Sequence, residues 1–123
     1  MSKILALVED LFFAAKIIET ARLVGAEVET LSSAEALLRR SAEERPSLVI
    51  VDLSAPGAER GETIRRLKTN SALTAVPVVG FLSHVQADLA EAARQAGCDR
   101  VLPRSKFTAE LPRILRHAAE QLS

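Results

Sequence analysis

The sequence predicts a doubly wound α/β fold, a parallel sheet of five strands alternating with five helices, on three observations. Short, continuous apolar runs recur along the chain, as in strands buried on both faces. Longer segments between them carry apolar residues at helical spacing. The two patterns alternate throughout with no linker, repeat or low-complexity tract, so 1–123 reads as one domain.

The stretch KILALV (3–8) is the first apolar run. Residues 11–24 follow with Phe13, Ile17, Ala21 and Val24 on one helical stripe, stopped by Gly25. EVETL (27–31) alternates as a strand. Ser32 or Ser33 caps the next helix, with Ala36, Leu37 and Ala42 facing inward and Pro46 beyond its end. LVIVD (48–52) is apolar up to its last residue, and the segment from Gly61 to Lys68 holds Ile64 and Leu67 at helical spacing. VPVVGFL (76–82) is another buried-type run. A helix over 85–96 carries Val85, Leu89, Ala92, Ala93 and Ala96 and stops at Gly97. RVLP (100–103) is a brief strand. The final helix turns Leu111, Ile114, Leu115, Ala118 and Leu122 inward. Pro112 fits only its first turn, which places the cap at Thr108 or a neighbour.

Composition narrows the function classes. Hydrophobic residues make up 48% and charged residues 26%, as in a globular chain long enough for a core. Sixteen basic and sixteen acidic residues cancel, so no basic excess points to nucleic acid or an anionic membrane. Aromatics are 3%, all Phe, which argues against a base-stacking surface. Cys98 is the only cysteine, which excludes an intrachain disulfide and a thiolate metal cluster and fits a reducing cytoplasm. The N-terminal apolar run meets Glu9 and Asp10 too soon for a signal peptide, and no run approaches the roughly 20 residues of a membrane helix.

In an open α/β sheet, ligands bind outside the carboxyl ends of the strands, at the switch in strand order. Glu9 and Asp10 follow the first strand and Asp52 ends the third. A flavodoxin-like order, 2-1-3-4-5, makes those strands neighbours and lets the three carboxylates converge. Crowded carboxylates repel unless a cation relieves them, and Mg²⁺ suits a site with few carboxylates. The competing reading is that each acid caps a strand or helix, Asp10 capping 11–24 for instance.

The motifs KILALVED, PSLVIVDLSAPG, VPVVGFLS and AGCDRVLPRSKF, in this order, resemble the receiver domains of bacterial two-component response regulators across essentially the whole chain. The resemblance implies a signalling domain rather than an enzyme. Asp52 would accept phosphate from a histidine kinase or phosphotransfer protein. Asp10 and Asp52 would ligate Mg²⁺ directly, Glu9 through water, and the Ser54 backbone carbonyl would be a further protein ligand. Mg²⁺ would offset charge on the phosphoryl group and Asp52 during in-line transfer.

The chain departs from the family in three places. A Thr or Ser usually ends the fourth strand; Leu82 stands there, and Ser83 comes one residue later. Side chains alternate faces along a strand, so Ser83 serves the site only if a bulge restores it. The usual Lys-Pro pair is Arg104-Ser105, with Lys106 two residues on; Arg104 keeps the charge in a different shape, or both are solvated loop charges. Val101 stands where a switching aromatic ring is common. The PGAERG loop is one residue longer than the common loop, which brings Glu59 to a customary acidic place. Phe12, off the helical stripe, and His84 lie near the mouth as a partner contact and a titratable group, respectively, or as ordinary packing and loop residues.

These observations lead to a stand-alone, atypical receiver that takes phosphate on Asp52 with Mg²⁺. Because no output domain follows Ser123, it is expected to signal to a downstream protein through residues 85–122. The alternative is a pseudo-receiver that keeps the fold as a phosphorylation-independent interaction module. A phosphohydrolase using Asp52 is disfavoured by the absence of a cap insertion or extra basic residues to hold a substrate.

Overall fold

The computed structural model describes residues 3–54, 60–83 and 86–120. In chain order the elements are β1 (Ile4–Leu7), α1 (Leu11–Val24), β2 (Val28–Leu31), α2 (Ala34–Glu44) and β3 (Leu48–Asp52). They continue with α3 (Arg60–Thr69), β4 (Val78–Leu82), α4 (Ala87–Ala96), β5 (Arg100–Pro103) and α5 (Arg104–Ala119). The strands pair in parallel, as the alternation of strand and helix predicts, and in the flavodoxin-like order β2-β1-β3-β4-β5. Leu7 pairs with Val51 and Asp52 with Phe81, so the carboxyl ends of β1, β3 and β4 lie side by side.

Alternation along the strands builds two cores. Ile4, Ala6, Leu48, Ile50, Val79 and Phe81 pack against α1 and α5. Leu5, Leu7, Val49, Val51, Val78 and Leu82 pack against α2, α3 and α4. The first core centres on three rings. Phe81 stacks on Phe107 with centroids 4.7 Å apart, and Phe13 is tilted against Phe81 at 5.0 Å. The second core contains a close approach at Gly80, where a Cβ would lie 2.7 Å from Leu53 Cδ1 and 3.2 Å from Cys98 Sγ. Cys98 is buried there and donates to the Arg100 carbonyl, and burial pushes its thiol up to about 11, far from the reactive thiolate form.

Three expected faces or boundaries differ. In α2, Leu37 and Ser41 are the buried residues and Ala42 is exposed, because Ser41 lies one full helical turn from Leu37. In α4, Ala90, Ala93 and Ala96 turn inward, while Leu89 and Ala92 are exposed. An alanine face lets α4 lie close, and the bulkier Leu89 stays at the rim. Val85 and Leu122 lie outside the described residues.

The third difference bears on the site. Helix α5 begins at Arg104, with Pro112 in its interior, rather than near Thr108. Phe107 is the cause, since its ring is fully buried in the aromatic stack and draws the preceding turn onto the sheet. Thr108 Oγ1 donates back to the Arg104 carbonyl at 2.8 Å and closes that turn. Arg104 and Lys106 are therefore first-turn helix residues, not loop charges.

Candidate functional site at the strand carboxyl ends

Asp10 is the N-cap of α1, with Oδ1 accepting the backbone N–H groups of Phe12 and Phe13 at 2.9 and 3.2 Å. Its other oxygen accepts from Arg104 Nη2 at 3.2 Å. The bond from Phe13 N–H first, then that from Arg104, holds the Asp10 carboxyl below its ordinary value of 3.8. Arg104 Cζ also lies over the Phe13 ring, 4.0 Å from its centroid, a cation–π contact that holds the guanidinium group in place. The ring of the first core thus sets the direction of the charge above it.

A depressed carboxyl contributes stability above its unfolded pKa and loses it as pH falls through the folded one. Asp10→Ala is therefore expected to lower the urea midpoint at pH 7. The gap to the parent protein should close as pH drops below 3.8. An undiminished gap in strongly acidic buffer would mean that the side chain acts by packing rather than by charge.

Glu9 takes a different partner. Its Oε2 accepts from Arg60 Nη2 at 2.9 Å, and Arg60 Nε donates to the Asp52 backbone carbonyl at 3.2 Å. The Arg60 side chain is only 4% exposed, whereas that of Glu9 is 46% exposed. Sequence reasoning missed Arg60 by starting the helix at Gly61. A signal existed, because Arg60, Ile64 and Leu67 fall on one helical stripe and all three are buried.

Asp52 is nearly buried, and its Oδ1 accepts the Ser54 N–H at 3.0 Å. The Ser54 hydroxyl accepts the Ser83 N–H at 2.9 Å and donates to Gln86 Oε1 at 3.3 Å, tying the end of β3 to the segments after β4. Ser83 itself is exposed beyond the end of β4. Leu82 is buried in the core on the α3 and α4 side, whereas Asp52 shares its strand face with Leu48 and Ile50. Lys106 points to Glu110, 4.0 Å away on its own helix. Phe12 is 91% exposed beside Asp10, Val101 is half-buried, and Glu59 and His84 lie outside the described residues.

The structure therefore brings Glu9, Asp10, Asp52 and Arg104 to one end of the sheet and adds Arg60. These residues do not fit a divalent ion as they are placed. Glu9 and Asp10 are each committed to a guanidinium group. Among the described residues no group of three His, Cys, Asp or Glu side chains could hold a metal. A groove of about 1160 Å³ opens at the other end of the sheet, lined by Pro46, Pro77, Arg100, Arg113 and His117 among others. No described helix is long and apolar enough to cross a membrane.

No protein-family model and no curated protein matches the chain. Solved structures do match over its full length. A response regulator from Hahella chejuensis superposes with a TM-score of 0.85 at 18% identity, covering 96% of this chain and 95% of that one. A response regulator receiver domain protein from Clostridium thermocellum gives 0.81 at 23% identity, with 98% and 96% covered. The Mn²⁺-bound form of the response regulator Rcp1 gives 0.81 at 18% identity, with 100% and 98% covered. The five parallel strands in the order 2-1-3-4-5, alternating with five helices, are the fold of the response regulator receiver domains.

Proposed function

We propose that the chain is a receiver-type module of two-component signalling that acts by protein contact, with an output that does not require phosphate on Asp52. This fold is typically a non-enzymatic signalling module, and its partners are histidine kinases or phosphotransfer proteins upstream and a target protein downstream. The observation that carries the reading is the self-satisfied site, in which Glu9 holds Arg60 and Asp10 holds Arg104. The absence of a hydroxyl at Leu82 supports it too, since that side chain is spent on the core. The expected contact surface runs over residues 85–122, of which 86–120 are described and hold α4, β5 and α5.

A second reading keeps Asp52 as the phosphoacceptor. One observation favours it: the hydrogen bond from Ser54 N–H engages Asp52 Oδ1 and leaves Oδ2 out of it. In that reading Oδ2 attacks phosphorus. A new O–P bond forms as the donor's P–N or P–O bond breaks, and the electron pair leaves with the donor. Arg104 then supplies positive charge and Ser83 a hydroxyl.

Incubation with acetyl phosphate and MgCl₂, followed by intact mass measurement, separates the two. The interaction-module reading expects no phosphoryl adduct, and amide spectra unchanged by beryllofluoride. A stoichiometric adduct that disappears in Asp52→Asn would overturn it in favour of the second reading.

A further inference from the structure

We infer that the Arg60 guanidinium is the resident cation of this acidic site, linking the ends of β1 and β3 and making the site independent of a divalent metal. The inference rests on the reading of the strand-end acids as the site of the domain, and it names what neutralises them.

One planar fork makes both links. Nη2 reaches the Glu9 carboxylate after β1, and Nε reaches the Asp52 carbonyl at the end of β3. The fork thus places a fixed positive charge between the two strand ends whose acids a metal would otherwise neutralise. Three carboxylates, Glu9, Asp10 and Asp52, face two guanidinium groups, Arg60 and Arg104. Among the described residues the charge left over is a single negative one, so the repulsion between these three carboxylates is largely relieved.

Displacement of Arg60 is opposed on two counts. Arginine cannot shed its proton, so an incoming cation meets a fixed like charge. The side chain is also buried in line with Ile64 and Leu67, anchored by the same helical face that holds α3 on the sheet. Leaving its acceptors would strand a guanidinium away from water, which is strongly unfavourable. Lysine at this position would offer a point charge rather than a fork that reaches both strands.

The test is metal binding, read directly. Mn²⁺ is titrated into the protein and free Mn²⁺ is followed by electron paramagnetic resonance. Thermal melts are run in parallel with MgCl₂ against NaCl of equal ionic strength. The wild type is expected to show no saturable site and no Mg²⁺-specific rise in Tm. Arg60→Met is expected to gain one saturable site, roughly tenfold tighter or more than any residual wild-type binding, with a matching rise in Tm on adding Mg²⁺. Glu9→Gln in that background should remove it. Saturable Mn²⁺ binding by the wild type, or no gain in a folded Arg60→Met protein, overturns the inference. Should Arg60→Met fail to fold, the wild-type melt decides, because a Mg²⁺-specific stabilisation there is incompatible with a resident arginine. Mn²⁺ binding leaves the interaction-module reading standing, and a phosphoryl adduct on Asp52 leaves this inference standing, so the two can fail separately.

Discussion

Phe81→Ala is expected to destabilise the protein by about 3–5 kcal/mol, the cost of removing a fully buried aromatic side chain and leaving a cavity. Phe81 has no exposed surface, and its ring stacks on Phe107 and leans on Phe13. The space it fills is enclosed by the sheet, α1 and α5, each held by its own packing, so the walls can collapse only partly. A domain of this size has roughly 5–15 kcal/mol in total, so the loss is a large share. The effect should reach the site as well, because Phe13 loses the ring beneath it and Arg104 lies on Phe13. Urea unfolding is the measurement, with a lower midpoint and an unchanged slope expected. A loss below about 1 kcal/mol would mean that the three rings are not the packed centre of this face.

The second large effect is expected from Glu9→Ala, at about 2 kcal/mol. Removing one partner of a buried ion pair costs about 3–5 kcal/mol because the other charge is stranded. Glu9 is half-exposed, which reduces the figure, but Arg60 is not, and it would keep only the Asp52 carbonyl of its two described acceptors. Arg60→Met should cost less, since water reaches the Glu9 carboxylate left behind and the methionine can occupy much of the arginine stem's place. The double variant Glu9→Ala/Arg60→Met should be more stable than Glu9→Ala alone, by about 1 kcal/mol, because no charge is then buried without a partner. The series is read by urea unfolding with EDTA present. The order is decisive: Glu9→Ala no more harmful than Arg60→Met would show that the Arg60 charge is not stranded by losing Glu9.

Both predictions concern features that a linear reading catches unequally. β1, β3 and β4 were legible because a strand covered by helices on both sides must be apolar throughout, and runs such as LVIV allow little else, whereas β2 was read from the alternation in EVETL and β5 from the short run RVLP. Parallel pairing followed from the alternation of elements, since parallel neighbours need crossovers, and the observed order is the flavodoxin-like one expected for such a sheet. The convergence of Glu9, Asp10 and Asp52 at one sheet end followed in turn, because each sits at or just after the last residues of its strand.

Helix faces were less legible where small residues mix. Ala90, Ala93 and Ala96 bury while Leu89 does not, because how closely α4 lies against its neighbours decides which side is inward. The start of α5 was misread for a related reason. Proline in a helix is costly in isolation, but the burial of Phe107 outweighs it, and that burial depends on rings contributed by α1 and β4.

The sequence by itself determined the alternating α/β fold, its parallel sheet and the end of that sheet at which the acidic residues gather, because hydrophobic periodicity and chain connectivity are properties of local spacing. The tertiary structure alone decided what those acids hold. Asp10 and Arg104 are far apart in the chain, as are Glu9 and Arg60, yet each pair closes within hydrogen-bond distance. Pairing of that kind depends on helix placement and side-chain direction, which are set only when the sheet and its two helical layers pack together.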